Sequence, residues 1–353
     1  MTEQAPPPSQ GDGNGPSVSD PEGEFFAELD TLVGVQVSKD APAGSTGRSA
    51  PLSKLKVISL SGNGILTEVM GVISKRQKLF VWLREQKADI ILLQETHFPE
   101  DLKRQALIAK QWGGTIIFTP GVTTSSCGTA ILLRPGSDVE LHPHSAPYTP
   151  MHGPHDGPLR GRVTLCHLLW HGQCYTVGSV YAPTMPDQRP RFFKSLKGVL
   201  LSYFPRGADG RVEQPAALCP LLLGGDWNCT SNPILDKSHQ NTTQSLVGNV
   251  QLTELTAHPS LDLVDVWRGH HPGKVEFTSH RSDLSQRLDR FYAHGSVFAL
   301  VQSVSHLPVG IAGIDHSAVV CTLATTAPMA TATPMGTDIW QLLSISRIPQ
   351  WTN

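Results

Sequence analysis

Asp89-Ile90-Ile91-Leu92-Leu93-Gln94-Glu95-Thr96 decides how the rest of this 353-residue chain is read. The apolar run after Asp89 has no polar alternation, the signature of a short strand covered on both faces, and it ends on three polar residues. Burying the Glu95 carboxylate at the end of such a strand is costly unless something offsets its charge. Glu95 is therefore a candidate ligand for a cation, with a structural salt bridge as the other reading.

Working outward, residues 55–60 form a predicted strand stopped by the turn-forming Ser61-Gly62-Asn63-Gly64. Val72, Leu79, Phe80 and Leu83 space a helix over roughly 71–87, and a second helix is expected over 99–111. Strands are predicted at 115–118 and 128–133, then a hairpin from 162–170 and 174–181 turning at His171-Gly172-Gln173. Phe192, Leu196, Val199, Leu200 and Tyr203 give 191–204 helical spacing. Residues 218–224 read as a buried strand feeding Gly225-Asp226-Trp227-Asn228. A helix near 246–257 and strands at 275–278, 286–293 and 316–323 complete the count. These periodicities alone amount to an α/β fold. Residues 135–160 have no period, and the irregular spacing of His142, His144, His152 and His155 reads as a solvated loop rather than a metal site.

Two ends differ from the middle. Residues 1–52 are rich in Pro, Gly, Ser and acid and read as a disordered tail, because they hold too little apolar surface to offset ordering entropy. Residues 326–353 read as a second low-complexity tail, leaving 53–325 as one domain with a well-buried core. The net charge of −2 hides an asymmetry, with −6 on residues 1–50 and +4 on the remainder. A mildly basic core suits a polyanion weakly. No run of 18 apolar residues offers a membrane span, and the acidic start lacks the features of a secretory leader. The expected setting is intracellular, nuclear or nucleo-cytoplasmic, with no membrane and no small organic cofactor. The six cysteines show neither metal spacing nor disulfide-framework density and read as small core hydrophobes. The sequon Asn228-Cys229-Thr230 falls on a residue assigned below to the site.

Polar clusters follow several of the strands: Gln94-Glu95-Thr96, Tyr181-Ala182-Pro183, Gly225-Asp226-Trp227-Asn228, Arg287-Leu288-Asp289 and Asp315-His316. Asp226 and Asn228, one residue apart, share a face if the segment is extended, and pair an acid that handles a proton with an amide that donates to a phosphoryl oxygen. Asp289 can hold one imidazole nitrogen of His316 so that the other faces substrate. Magnesium typically takes one or two protein carboxylates and keeps its other positions for water and phosphate. This is the inventory of a metal-assisted phosphodiesterase.

The order of these clusters resembles the endonuclease/exonuclease/phosphatase superfamily, and within it the apurinic-type endonuclease domains of non-LTR retrotransposons (long interspersed elements). The phrases Gly113-Gly114, Gly161-Arg162-Val163, Arg191-Phe192-Phe193, Asp265-Val266-Trp267-Arg268 and Phe277-Thr278-Ser279 are similar to the retrotransposon domains rather than the repair enzymes. The resemblance implies a four-layer α/β sandwich, two packed mixed sheets flanked by helices. It implies Mg²⁺ (or Mn²⁺) at Glu95, Asn63 and Asp315, with catalytic roles for Tyr181, Asp226, Asn228, Asp289 and His316. His316 would contact the scissile phosphate, Tyr181 would donate its phenol to it or help orient the nucleophile, and Asp226 would activate water or protonate the leaving oxygen.

Two positions depart from the family pattern: Ser61 and Thr184 each stand where it has an asparagine. The expected function is Mg²⁺-dependent nicking of DNA leaving a 3′-hydroxyl. A weakened DNA-binding or interaction protein and a phosphomonoesterase of the same fold are the alternatives. No polymerase sequence follows before Asn353, as in a truncated element or an element-derived gene. Arg268, Lys274, Arg281, Arg287 and Arg290 are candidate phosphate contacts, with solvated surface as the alternative for each.

Overall fold

The computed structural model describes residues 53–65, 73–123, 125–143, 146–150, 157–203, 219–238, 246–281 and 284–325. The two expected tails lie outside these residues, as do His144, His152 and His155.

The first six-stranded sheet contains β1 (Ser53–Ser61), β2 (Ile90–Gln94), β3 (Ile116–Thr119), β4 (Thr129–Leu133), β13 (Val301–Leu307) and β14 (Ala318–Thr325), in the order β13-β14-β1-β2-β4-β3. The second contains β5 (Val139–Leu141), β6 (Val163–Trp170), β7 (Gln173–Tyr181), β8 (Leu221–Asp226), β9 (Leu263–Asp265) and β12 (Asp289–His294), in the order β5-β6-β7-β8-β12-β9. A hairpin, β10 (Ser279–Arg281) with β11 (Leu284–Gln286), stands apart from both.

The apolar runs are explained by a core on each side of each sheet. Leu55, Val57, Ile90 and Leu92 join Leu168, Val177, Leu222 and Phe291 between the sheets. Their neighbours Ile58, Leu60, Ile91 and Leu93 point the other way, as a period of two requires. They pack under α1 (Lys75–Glu85) and α2 (Leu102–Trp112) through Leu79, Phe80, Leu83, Ile108 and Trp112. On the far side of the second sheet, Phe192, Phe193, Leu196 and Leu200 of α3 (Arg189–Tyr203) and Leu252 and Leu255 of α4 (Asn249–Thr256) cover Leu221, Leu223 and Val180. Each fully buried side chain of this size contributes about 1.5–3 kcal/mol. The result is a four-layer α/β sandwich of two mixed sheets.

Local chemistry sets the helix ends. Ser74 and Gln77 form a reciprocal capping box at the start of α1, and Asp101 caps α2, which ends on Gly113 at φ 81°. At Gly225 any Cβ would lie 1.9 Å from the carbonyl oxygen of Val180, so only glycine lets β7 and β8 pair just before Asp226.

Several expectations are corrected. Residues 275–278 are not a strand; pairing begins at Ser279. Within the expected loop 135–160 lies β5, and His142 just after it is buried, its N–H donating to the His167 carbonyl. The short β9 and the strand β13 were not anticipated, since three residues or a half-exposed edge carry little periodic signal. Cys174 and Cys219 are not separate core hydrophobes. They sit at the start of the parallel β7–β8 pair, Cα atoms 4.8 Å apart, joined as a disulfide. Cys127, Cys166, Cys229 and Cys321 are free and buried as expected.

Arg287 and Arg290 are also corrected. Both are 0% exposed and form part of a buried ion cluster, so neither has surface to offer a phosphate. Arg287 Nε donates to Asp236 Oδ1 at 2.8 Å and its Nη2 to Asp265 Oδ2 at 2.8 Å, while Arg290 lies 3.9 Å from each acid. Arg268 joins the cluster through Asp236 at 2.6 Å and caps the chain after α5 (Val266–His270) by donating to the carbonyls of His271, Pro272 and Lys274. It too serves the fold.

Candidate active site

The parallel pairs β1–β2 and β7–β8 end at Ser61, Gln94, Tyr181 and Asp226, while the antiparallel β12 and β14 begin at Asp289 and just after Asp315-His316. Topology alone thus gathers the polar clusters at one end of both sheets. Asp226 is the register partner of both Tyr181 and Asp289.

Asp226, Asp289 and His316 are 2%, 0% and 4% exposed, and one ligating atom from each lies within 4.8 Å of the others. His316 Nδ1 is 2.7 Å from Asp289 Oδ2, the pairing expected from the sequence. Burial alone would lower the His316 pKa, but the carboxylate of Asp289 and its hydrogen bond, with Asp226 and Asp315 nearby, raise it to about 9. Burial, reinforced by Asp289, pushes Asp226 well above the ordinary carboxylate range, against the opposing pull of His316. A protonated imidazole donates hydrogen bonds, and a carboxyl poised near neutrality exchanges protons. Asp289 Oδ1 and His316 Nε2 are buried without partners among the described residues.

Asn228 reaches the site by a different route from the one expected. Its φ of 47° is left-handed, so the segment after Asp226 is a turn and not an extended run. The turn is held by Asn228 N–H donating to Asp226 Oδ1 at 2.9 Å and by Asn228 Nδ2 donating to the Ala182 carbonyl at 2.8 Å. An amide carries two protons, so one remains for a substrate oxygen.

Glu95 lies just past β2 at φ 53°, only partly buried. Asn63 Nδ2 is 3.4 Å from Asp315 Oδ1. Lys75 feels both Asp315 and Glu95: burial lowers its pKa, against the opposing pull of those two carboxylates. Its ammonium donates to the carbonyls of Asn63 and Gly313. Glu95, Asn63 and Asp315 offer only oxygen donors, two of them charged, which fits a hard cation such as Mg²⁺ or Mn²⁺. Asp226, Asp289 and His316 are a second set of side chains that could hold a cation, two carboxylates and an imidazole bonded to one of them.

The Tyr181 phenol is buried, and burial raises its pKa, as do the neighbouring Glu95 and Asp226 carboxylates and a hydrogen bond to Glu95. It therefore stays protonated as a donor. Arg162 lies over its ring, 5.2 Å from the centroid. Arg162 and Lys75 are site residues that sequence reasoning missed. Arg162 stood within a family phrase, but no spacing rule marks Lys75, which begins a helix.

The two departures differ in kind. Ser61 is fully buried with its hydroxyl unpartnered among the described residues, whereas Thr184 is exposed and its carbonyl accepts from Arg189. Of the remaining basic candidates, Lys274 pairs with Glu276 at 2.6 Å and lies over the Trp267 ring. Arg281 is 59% exposed, pairs with Asp315 at 2.9 Å and feels Asp226 and Glu95, so it stands at the rim of the site.

Two mixed sheets sandwiched by helices, with acids, an imidazole and a phenol at one end of both, are an arrangement consistent with a hydrolase. The chain belongs to the endonuclease/exonuclease/phosphatase family, whose model matches residues 71–322. It is 30% identical over 227 residues to the Xenopus laevis "Transposon TX1 uncharacterized 149 kDa protein". That match covers 63% of this chain and 15% of the transposon protein. In structure it is similar to the AP endonuclease LMAP from Leishmania major, with a TM-score of 0.60 at 17% identity, covering 77% of this chain and 88% of the other. The Xenopus laevis APE2 catalytic domain gives a TM-score of 0.56 at 19% identity, covering 77% and 94%. No helix among the described residues is long and apolar enough to cross a membrane.

Proposed function

We propose that this chain is a metal-dependent DNA endonuclease that hydrolyses one phosphodiester and leaves a 5′-phosphate and a 3′-hydroxyl, as retrotransposon target nicking requires. The observation that carries the reading is the buried Asp289–His316 pair set beside Asp226, with a polar atom of each unpartnered among the described residues. Glu95, Asn63 and Asp315 would hold Mg²⁺ or Mn²⁺, which would supply Lewis-acid stabilisation of charge on the phosphate. His316, held by Asp289, donates to a phosphate oxygen through Nε2. Asn228 contributes its second amide proton to the same charge, while Tyr181 gives its one phenol proton to Glu95 and so orients that carboxylate. Asp226 is the group placed to accept the proton of attacking water or return one to the departing oxygen. The names of the AP endonucleases and of the transposon relative support DNA as substrate.

Nicking of supercoiled plasmid with Mg²⁺, compared with EDTA and run beside release of phosphate from an inositol phosphate, tests this reading. Cutting only with the metal is expected. Release of phosphate without nicking would replace the nuclease reading by a phosphomonoesterase, and neither reaction with Mg²⁺ or Mn²⁺ would leave an interaction protein.

Glu95→Ala is expected to remove most Mg²⁺-dependent nicking while DNA affinity changes little, because basic residues supply most of the affinity. Equal nicking by variant and parent would take Glu95 out of the metal site. Arg281→Ala should weaken DNA binding about equally across sequences and reduce the slope of log affinity against log salt by about 1. An unchanged slope in a binding titration would show that Arg281 touches no phosphate.

A further inference from the structure

At the opposite end of β7 and β8 from Tyr181 and Asp226 lies a second group of ligating side chains. Cys174 is the second residue of β7, Cys219 precedes β8, and His167 faces them from β6, where it is the register partner of Thr176. One ligating atom from each of His167, Cys174 and Cys219 lies within 4.8 Å of the others. We propose that these three residues form a metal site distinct from the acidic one, taken by a zinc-class divalent cation when the Cys174–Cys219 disulfide is reduced.

The donor chemistry selects the cation. Two thiolates and an imidazole are soft-to-borderline ligands that suit zinc, whereas the oxygen donors around Glu95 suit magnesium. The surroundings orient the imidazole as a metal ligand requires. The Thr176 hydroxyl donates its proton to the Cys219 carbonyl at 3.1 Å and so accepts from His167 Nδ1 at 3.0 Å, placing the ring proton there. A ligating histidine usually donates its other ring nitrogen to such a second layer. The Tyr203 ring stacks on the imidazole, centroids 4.7 Å apart and 16° from parallel, and limits its rotation. Three protein ligands leave the fourth tetrahedral position to water.

Disulfide and metal exclude one another at these sulfurs. Two equivalents of a small thiol such as glutathione supply the two electrons that break the S–S bond, leaving two protein thiols and one molecule of oxidised glutathione. Each thiol then gives up its proton as the cation binds. The Cys174–Cys219 corner therefore couples metal occupancy to the thiol–disulfide balance around the protein.

Cobalt is the probe, because a thiolate-to-cobalt charge-transfer band reports sulfur ligation and the acidic site contains no sulfur. The full chain, reduced with a phosphine and desalted, should bind Co²⁺ with that band. The band should vanish on addition of Zn²⁺ or after oxidation with oxidised glutathione, and should persist in Glu95→Ala. Cys174→Ser and Cys219→Ser should each weaken it, the double variant should lose it, and Thr176→Val should lower the affinity roughly 10-fold. In the unsubstituted chain, Zn²⁺ should protect two thiols from alkylation, mapped to Cys174 and Cys219 by peptide mass spectrometry. Absence of the band from the reduced chain, or its survival in the double variant, overturns the proposal. If the variants do not fold, equal alkylation of Cys174 and Cys219 with and without Zn²⁺ overturns it.

Discussion

His316→Ala is expected to lower the rate of Mg²⁺-dependent nicking by roughly 10²–10⁴-fold, the range for loss of a positioned acid/base or charge-stabilising group. The size follows from the setting. The imidazole is 4% exposed, held at 2.7 Å by Asp289 and kept protonated by the surrounding carboxylates. Water cannot readily substitute for a donor placed in so enclosed a site. Asp289→Asn preserves shape but removes the charge that holds the imidazolium, and loss of a charge-assisted bond of about 1.5–3 kcal/mol lowers the rate roughly 10- to 150-fold. Single-turnover nicking on supercoiled plasmid measures both, with DNA binding as the control for misfolding. A silent Asp289→Asn beside a severe His316→Ala would break the proposed pairing.

The largest expected effect on stability comes from Asp236. It is buried between Arg287, Arg290 and Arg268, and removing one partner of such a cluster leaves cationic groups uncompensated, at a cost of about 3–5 kcal/mol. At about 2–4 °C per kcal/mol for a domain of this size, Asp236→Ala should lower Tm by roughly 10 °C. Thermal unfolding followed by circular dichroism reads this directly, and a shift under about 2 °C would show that the cluster is not stabilising.

The same residue sets an acid limit. Burial would raise the Asp236 pKa, but Arg290 and Arg287, Arg287's hydrogen bond and the Asn232 N–H bring it to about 2. A carboxylate depressed in the folded state stabilises above its unfolded value and loses that contribution as pH falls through the folded one. Stability from Asp236 is therefore full above about pH 4 and lost between about pH 4 and 2. The Asp236→Ala chain should lack this part of the acid transition.

The local signals that the sequence carries are the strand runs, and they were read well because burial on both faces leaves no polar alternation. Residues 89–93 and 218–224 placed β2 and β8 and, with them, Glu95 and Asp226 at or just past strand ends. The acid–imidazole pairing of Asp289 with His316 was also legible, since the order of motifs constrains which strand ends meet. Asn228 was placed in the site for the wrong local reason: an extended segment was expected, and an Asx turn was found.

What the sequence could not decide was the fate of charges whose partners are distant in the chain. Arg287 and Arg290 look like solvent-facing cations beside a catalytic motif. They are buried because Asp236 and Asp265, 51 and 22 residues from Arg287, neutralise them from other elements. Cys174 and Cys219 meet across a sequence separation of 45 because two parallel strands start side by side. Lys75 comes within the influence of Glu95 and Asp315 in the same way. Periodicity reports which face of an element is covered, whereas the sign and partner of a charge depend on what tertiary packing brings within a few ångströms, where desolvation and Coulomb attraction are both large.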